Sequence, residues 1–195
     1  MIRMASVEQA LDLIASHGSQ RALGRETVDL ADALGRRLAE PVIAQVNQPP
    51  ADVSSMDGYA VRFADMAMNA ELKVIGESRA GVPWSGKVNA REAIRIFTGA
   101  IMPQGADHVL IQEDTIRENN DIEVMHEQKH PQFIRKAGLD FAKGATLIPA
   151  GTLMTEGAIS LAAAGNVGKV TVAKTPRIGV LANGDELVAP GSDMK

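Results

Sequence analysis

The sequence contains no cysteine, so disulfide bonds, thiolate nucleophiles and cysteine-ligated zinc sites are excluded. Aromatic residues make up only 3% of the chain and the net charge is −4, with no run of lysine or arginine. Both features argue against a nucleic-acid-binding protein. There is also no apolar run of membrane-spanning length and no recognisable signal peptide. We therefore expect neither nucleic-acid nor membrane partners, which fits a cytoplasmic location.

The residues that are abundant indicate a globular chain rich in turns. Apolar residues account for 45% of the 195 positions, and there are 18 glycines and 9 prolines. A chain of this length buries roughly 70% of its unfolded surface, enough for one large or two small cores. Frequent turn residues between short apolar runs favour β-rich structure.

Two helices are predicted, one near each end of the chain. Residues 6–17 predict the first, because Ser6 and Gln9 fit a capping box and apolar residues recur on one face. Gly18 is the expected stop of this helix. Residues 155–164 predict the second helix, which is rich in small side chains.

The segment between the helices predicts a compact all-β unit over residues 46–140. Its predicted strands are 59–61, 72–78, 93–97, 108–112, 121–125 and 132–135.

A final apolar segment, Ile178 to Ala182, predicts a buried strand of an α/β sheet because its apolar residues do not alternate with polar ones. Residues 183–187 would follow its carboxyl end, where open α/β sheets bind ligands. No second strand or crossover helix follows before Lys195. We therefore expect a fragment or a natural truncation of a longer protein.

One stretch, residues 49–62 (PPADVSSMDGYAVR), has the most specific local chemistry. Two prolines stiffen its start, and Ser54, Ser55 and Asp57 are small polar residues that can bond nearby backbone groups. Gly58 permits a backbone conformation that other residues avoid. A carboxylate held between a rigid lead-in and a strand suits metal or catalytic chemistry. The alternative is an ordinary Asp-Gly turn, which this dipeptide usually marks.

Oxygen-bearing side chains occur in other loops as well, including Thr98, Asp140, Asp185 and Glu186. Carboxylates from several loops suit Mg²⁺, which takes one or two of them and keeps its waters. Each carboxylate alone is better explained as a cap or a turn residue, because aspartate favours such positions. There is no phosphate-binding P-loop and no G-x-G-x-x-G fingerprint.

Residues 49–62 resemble the PP-x-D-x-S-x-MDGYAVR signature of the molybdopterin molybdenumtransferases, the molybdenum insertases that include MoeA and the C-terminal part of gephyrin. Residues 95–107 are similar to the R-I-x-T-G-A-x-x-P-x-G-A-D block of that family, and residues 135–140 to its R-x-x-G-x-D element. Residues 183–187 resemble its T-G-D-E-L turn, with Asn183 in place of threonine. The four blocks occur in the family's order and cover nearly the whole chain.

The resemblance implies an α+β, β-rich multidomain fold. Residues 46–140 would be a small all-β domain inserted in a mixed α/β linker domain. Residues 25–45 and 141–175 would form that linker domain and carry much of a homodimer contact. Residues 1–24 would form an N-terminal helix that packs with an α/β domain. Residues 176–195 would be the first strand of that incomplete domain, which binds molybdopterin.

The implied reaction inserts molybdenum from molybdate into adenylylated molybdopterin and releases AMP, with Mg²⁺ as cofactor. A homodimer would assemble the active site from both chains, and molybdopterin adenylyltransferase would be the substrate donor. We expect the 195-residue piece to be inactive alone. The alternative is a non-catalytic dimerising scaffold that has lost the pterin-binding domain.

The resemblance also assigns the site residues. The catalytic residues would be Asp57, Thr98 and Glu186. The residues that bind molybdopterin would be Ser55, Arg62, Asp140 and Arg135. The metal ligands would be Asp57, Asp185 and Glu186.

Overall fold

The computed structural model describes residues 6–19, 23–181, 184 and 186–192. Its two α-helices are α1 (Val7–Ser19) and α2 (Glu156–Ala164). The strands within the described residues are β1 (Arg25–Asp29), β2 (Val42–Ile43), β3 (Val53–Ser54), β4 (Gly58–Val61), β5 (Glu71–Ser78), β6 (Glu92–Ile96), β7 (His108–Ile111), β8 (Thr115–Glu118), β9 (Asp121–Val124), β10 (Ile134–Arg135), β11 (Thr146–Ile148) and β12 (Lys169–Ala173).

A six-stranded sheet with the order β7-β4-β6-β5-β9-β8 forms the middle of the chain. Its neighbours are antiparallel except for β5 and β6, which are parallel. All four residues of β4 are buried, because this strand lies between β6 and β7 with apolar clusters on both faces. The start of β4, where the Asp57 turn ends, is therefore anchored in the centre of the core.

A second group of elements joins two segments that are distant in sequence. β1 pairs with β12 and β2 pairs with β11, both antiparallel. α2 packs against a short 3₁₀ helix at Leu30–Ala33. Their shared core is apolar and includes Ala33, Leu38, Val42, Ile148, Met154, Ala162 and Val172. Residues 25–45 and 141–175 thus pack together, whereas the domain boundaries stay a prediction.

The predicted capping box at the start of α1 is confirmed. Ser6 N donates to Gln9 Oε1 over 3.1 Å, and Gln9 N donates to Ser6 Oγ over 3.3 Å. The predicted stop at Gly18 is wrong, because α1 continues to Ser19. The apolar side chains of α1 remain exposed, including Val7 at 72% and Ile14 at 68%.

The predicted strand over Ile178–Ala182 is not found in its described part, residues 178–181. Val180 is 91% exposed and Leu181 is 90% exposed. A strand needs a hydrogen-bonded neighbour, and none of the described residues provides one beside this segment. Apolar composition alone was an insufficient signal. Residues 182, 183 and 185 lie outside the described residues.

No helix in the part of the chain that the structure describes is long and apolar enough to cross a membrane. The sheet-rich architecture with few helices agrees with the predicted α+β, β-rich class.

Candidate active site

The turn that carries Asp57 is held by main-chain bonds on both sides of Ser54. Ser54 N donates to Ala100 O over 2.9 Å, and Gly99 N donates to Ser54 O over 2.8 Å. The Ser54 hydroxyl accepts from Met56 N over 3.3 Å and donates to Met56 O over 2.6 Å. Ser54 therefore links β3 to the loop after β6 and closes the turn that leads to Asp57.

Gly58 is required at this position by a close backbone approach. A Cβ atom on residue 58 would lie 2.1 Å from Leu110 O and 2.9 Å from Ile111 Cα. Both atoms belong to the backbone of β7, so neither can move aside without disturbing the sheet. The glycine of the Met-Asp-Gly-Tyr sequence thus lets β4 begin immediately after Asp57.

Asp57 and Thr98 meet across 41 residues of sequence. Thr98 N and Thr98 Oγ1 both donate to Asp57 Oδ1, over 2.8 and 2.9 Å. The backbone donor first, and then the hydroxyl, hold the pKa of Asp57 below its usual value, and the charge of Arg95 acts in the same direction. None of the described residues donates a hydrogen bond to Oδ2. Asp57 therefore presents an ionised carboxylate with one oxygen free to bind a ligand.

Arg95 lies behind this turn and was not among the predicted site residues. Its guanidinium carbon is 5.1 Å from the centre of the Tyr59 ring and 4.8 Å from that of Phe97. Nη1 donates to Gly58 O over 3.1 Å, and Nη2 donates to Gln112 Oε1 over 2.6 Å. By sequence, Arg95 is one of several cations that could bind phosphate or molybdate oxygens. Its contacts were not predicted, because they depend on the pairing of β4 with β6 and β7.

The segment that follows β10 runs beside the start of the 49–62 stretch. Gly138 N donates to Pro49 O over 2.9 Å, and Asp140 N donates to Gln48 O over 2.9 Å. Arg135 Nη2 donates to both carboxylate oxygens of Asp140, over 2.7 and 2.8 Å. Arg135 and Asp140 therefore form an exposed ion pair on the same side of the fold as the stiff proline lead-in.

Asp52 has a structural explanation that sequence reasoning did not give. Lys136 Nζ donates to Oδ2 over 2.8 Å, and Ala137 N donates to Oδ1 over 2.9 Å. These bonds, from Lys136 first and Ala137 second, lower the pKa of Asp52. Asp52 therefore fastens the 49–62 stretch to the segment after β10.

Of the residues predicted to bind molybdopterin, Ser55 lies in the Asp57 turn, whereas Arg62 lies away from it. Ser55 lies two residues before Asp57, and its N–H donates to Phe133 O over 2.9 Å. Arg62 follows the opposite end of β4 and pairs with Asp65 over 3.8 Å. Five residues of extended chain span roughly 16 Å, which places Arg62 away from the Asp57 carboxylate.

Glu186 is not joined to the Asp57 turn within the described residues. It is exposed, and no hydrogen bond or ion pair connects it to Asp57 or Thr98 in the part of the chain that the structure describes. Asp185 lies outside the described residues. No group of three or more acidic or histidine side chains suited to a metal ion occurs among the residues described.

Asp57 nevertheless fits Mg²⁺ as a single ligand. This cation is commonly bound through one or two carboxylates and keeps several waters, and Asp57 Oδ2 is an oxygen of that kind. The contributions of Asp185 and Glu186 remain predictions.

The chain is similar to one known family and to proteins that share a single name. A family profile described as "MoeA N-terminal region (domain I and II)" matches residues 5–165. The chain is 37% identical over 171 residues to the molybdopterin molybdenumtransferase of Haemophilus influenzae. These residues make up 87% of this chain and 42% of that protein. It is 40% identical over 168 residues to the protein of the same name from Nostoc, covering 84% and 38%.

Solved structures resemble the whole described fold. Two structures of the molybdopterin biosynthesis MoeA protein from Pyrococcus horikoshii each match with a TM-score of 0.84, at 34% and 31% identity. They cover 99% and 97% of this chain and 50% and 52% of theirs. The chain therefore spans about half the length of these proteins, and somewhat less than half that of the two curated relatives.

Proposed function

The chain belongs to the MoeA N-terminal region family, and from this membership we propose that it acts in molybdenum cofactor biosynthesis as part of a molybdopterin molybdenumtransferase. The proposed reaction inserts molybdenum from molybdate into adenylylated molybdopterin and releases AMP. Curated relatives with that name are more than twice as long as the matched region, so the activity is proposed for the protein rather than for this stretch alone.

The Asp57–Thr98 pair is the observation that carries this proposal. Thr98 occupies Oδ1 with two donors and leaves Oδ2 unbonded by the described residues. Such an arrangement fixes the direction of the free oxygen before substrate arrives, as a preorganised site requires. The lowered pKa of Asp57 keeps the carboxylate ionised to a lower pH than that of an ordinary aspartate.

Asp57 would hold Mg²⁺ through its free oxygen, with Asp185 and Glu186 as the other proposed ligands. The cation, when bound, supplies positive charge that stabilises the leaving phosphate of the adenylylated substrate. Glu186 is also proposed as a catalytic residue, beside Asp57 and Thr98. Because Glu186 is not joined to Asp57 within the described part of this chain, we propose that a second copy completes the site in a homodimer.

Molybdopterin binding is proposed for the loops beside Asp57. Ser55 lies in the same turn, and the Arg135–Asp140 pair lies beside the proline lead-in. Arg62 is the least supported member of this set, because it follows the far end of β4. We propose molybdopterin adenylyltransferase as the donor of substrate. The relatives carry the name of an enzyme, so the non-catalytic scaffold is not favoured.

The substitution Asp57→Asn in the natural full-length protein tests the proposed function. Asparagine keeps an oxygen that accepts from Thr98 but removes the negative charge. We expect molybdenum insertion and AMP release to fall by about a hundredfold or more, with the dimer unchanged by light scattering. Asp32→Asn is the matched control, because Asp32 is exposed in the 3₁₀ helix at Leu30–Ala33. Near-normal AMP release by the Asp57 variant would refute the catalytic role.

A further inference from the structure

Arg95 contacts two aromatic residues, one close to Asp57 in sequence and one next to Thr98. It belongs to β6, and its register partner on β4 is Tyr59. Its guanidinium lies against the rings of Tyr59 and Phe97. Tyr59 comes two residues after Asp57, and Phe97 immediately precedes Thr98. One planar side chain therefore packs against a sequence neighbour of each member of the Asp57–Thr98 pair.

The hydrogen bonds of Arg95 reach the peptide groups around Asp57. Nη1 donates to the carbonyl of Gly58, the next residue along the chain. Nη2 donates to the side chain of Gln112, and the main-chain N–H of Gln112 donates to Asp57 O over 3.2 Å. The carbonyls of Asp57 and Gly58 are thus both fixed, one through Gln112 and one directly. No direct hydrogen bond joins the Arg95 and Asp57 side chains in the described structure.

We propose that Arg95 is a positioning residue that fixes the direction of the Asp57 carboxylate by bridging Gly58 O and Gln112 Oε1 between the rings of Tyr59 and Phe97. Its importance for catalysis rests on the function proposed above. Lysine cannot replace it, because an ammonium group lacks both the planar face that stacks on rings and the fork that reaches two separated acceptors. The bridge, rather than the positive charge, is what directs the Asp57 carboxylate.

Two variants of the natural full-length protein test this proposal, Arg95→Lys, which keeps the charge, and Arg95→Gln, which removes it. Arg91→Lys is the control, because Arg91 is exposed and lies just before β6. Amide hydrogen exchange is followed at Thr98 and Gln112, whose N–H groups bond to Asp57. Val124 serves as the reference amide. It belongs to β9, two strands away from β6 in the same sheet, and its N–H donates to Ala70 O over 3.0 Å.

We expect both Arg95 variants to speed exchange at Thr98 and Gln112 by about tenfold or more, with Val124 unchanged within about twofold. The kcat for insertion should fall by about ten- to a hundredfold while KM stays within about twofold, because a misdirected carboxylate impairs the reaction and not substrate capture. Arg91→Lys should change neither quantity.

Three results would overturn the proposal. Equal acceleration at Val124 would show that Arg95 only stabilises the fold. Normal exchange at Thr98 and Gln112 in Arg95→Lys would show that charge alone suffices. A raised KM with unchanged kcat would show direct contact with substrate. Selective acceleration together with an active Asp57→Asn variant would instead support the positioning of the turn and refute the proposed function of Asp57.

Discussion

The two segments predicted to supply metal ligands are held in very different ways. Asp57 stands between β3 and β4, with its carboxylate bonded by Thr98 and its carbonyl bonded by Gln112. The segment around Glu186 is exposed, and its one described backbone bond, Leu187 N to Gly184 O at 3.1 Å, stays within its own turn. The central sheet therefore preorganises one half of the proposed site, whereas the described residues leave the other half unsupported.

The apolar residues before Glu186 are exposed, whereas those of the central sheet are buried. Ile178 is 82% exposed, whereas the buried strands of the sheet contain side chains such as Ile94 at 0%. A contiguous exposed apolar segment marks a surface that another element or chain covers. Support for Glu186 is therefore expected to come from contacts outside those described here.

The largest expected effect comes from placing a methyl group in each region. Gly58→Ala drives a Cβ into the backbone of β7, so we expect the unfolding free energy to fall by about 3 kcal/mol or more. In the 195-residue chain, Gly179→Ala meets no atom within 4 Å and should change the unfolding free energy by less than about 0.5 kcal/mol. Urea unfolding of both variants measures the difference. An equal loss of unfolding free energy in both variants would contradict the expected difference between the two regions.

A smaller effect is expected from removing one of the two donors to Asp57. Thr98→Val keeps the shape of the side chain and the backbone N–H but deletes the hydroxyl bond. We expect the insertion rate of the natural full-length protein to fall by about tenfold, because Asp57 loses one of two directing contacts. Ser160→Ala is the control, because it deletes a hydroxyl that donates to Glu156 O within α2, away from Asp57. An unchanged rate in Thr98→Val would mean that the backbone donor alone is sufficient.

The smallest effect concerns His108, a buried histidine at the start of β7. Its Nδ1 accepts from Gln132 N over 3.0 Å, and its buried Nε2 has no hydrogen-bond partner in the described structure. Burial lowers the pKa of His108, with Asp107 opposing this shift. The folded protein therefore resists protonation. Its contribution is complete above the unfolded pKa of about 6.5 and is lost as the pH falls toward the lower folded value.

Thermal or urea unfolding between pH 7 and pH 5 measures this effect. Each unit of depression corresponds to about 1.4 kcal/mol of lost unfolding free energy. His108→Asn places an acceptor near the position of Nδ1 and should remove that histidine's share of the pH dependence. The same change at His17, which is exposed on α1, should leave the pH dependence intact. A slope that persists in His108→Asn would assign it to another group.

Local patterns predicted the elements that bury one face or carry a strong cap. The alternation over 93–97 and 121–125 matches β6 and β9, and Ser6 with Gln9 marks the start of α1. β8 was not predicted, because an edge strand with three exposed residues of four carries no alternating signal. The pairing of β3 with β10 joins two-residue strands about 80 residues apart, which no local pattern could reveal.

The candidate site was predicted in part for a similar reason. The motif identified Asp57, and the family block contained Thr98, but the bond between them depends on how β4 and β6 pair. The same pairing places Arg95 against Tyr59, and no local sequence pattern predicts that contact. The apolar run at 178–181 shows the opposite failure, because its composition suggested a strand where no described neighbour pairs with it.

Titration of the Asp57 carboxyl carbon by ¹³C NMR tests most directly whether the turn presents an ionised carboxylate with one free oxygen. The two Thr98 donors predict a midpoint below the usual aspartate value of about 3.9, and a rise in the Thr98→Val variant. A midpoint at or above that value, unchanged by Thr98→Val, would contradict the geometry on which the proposed function depends.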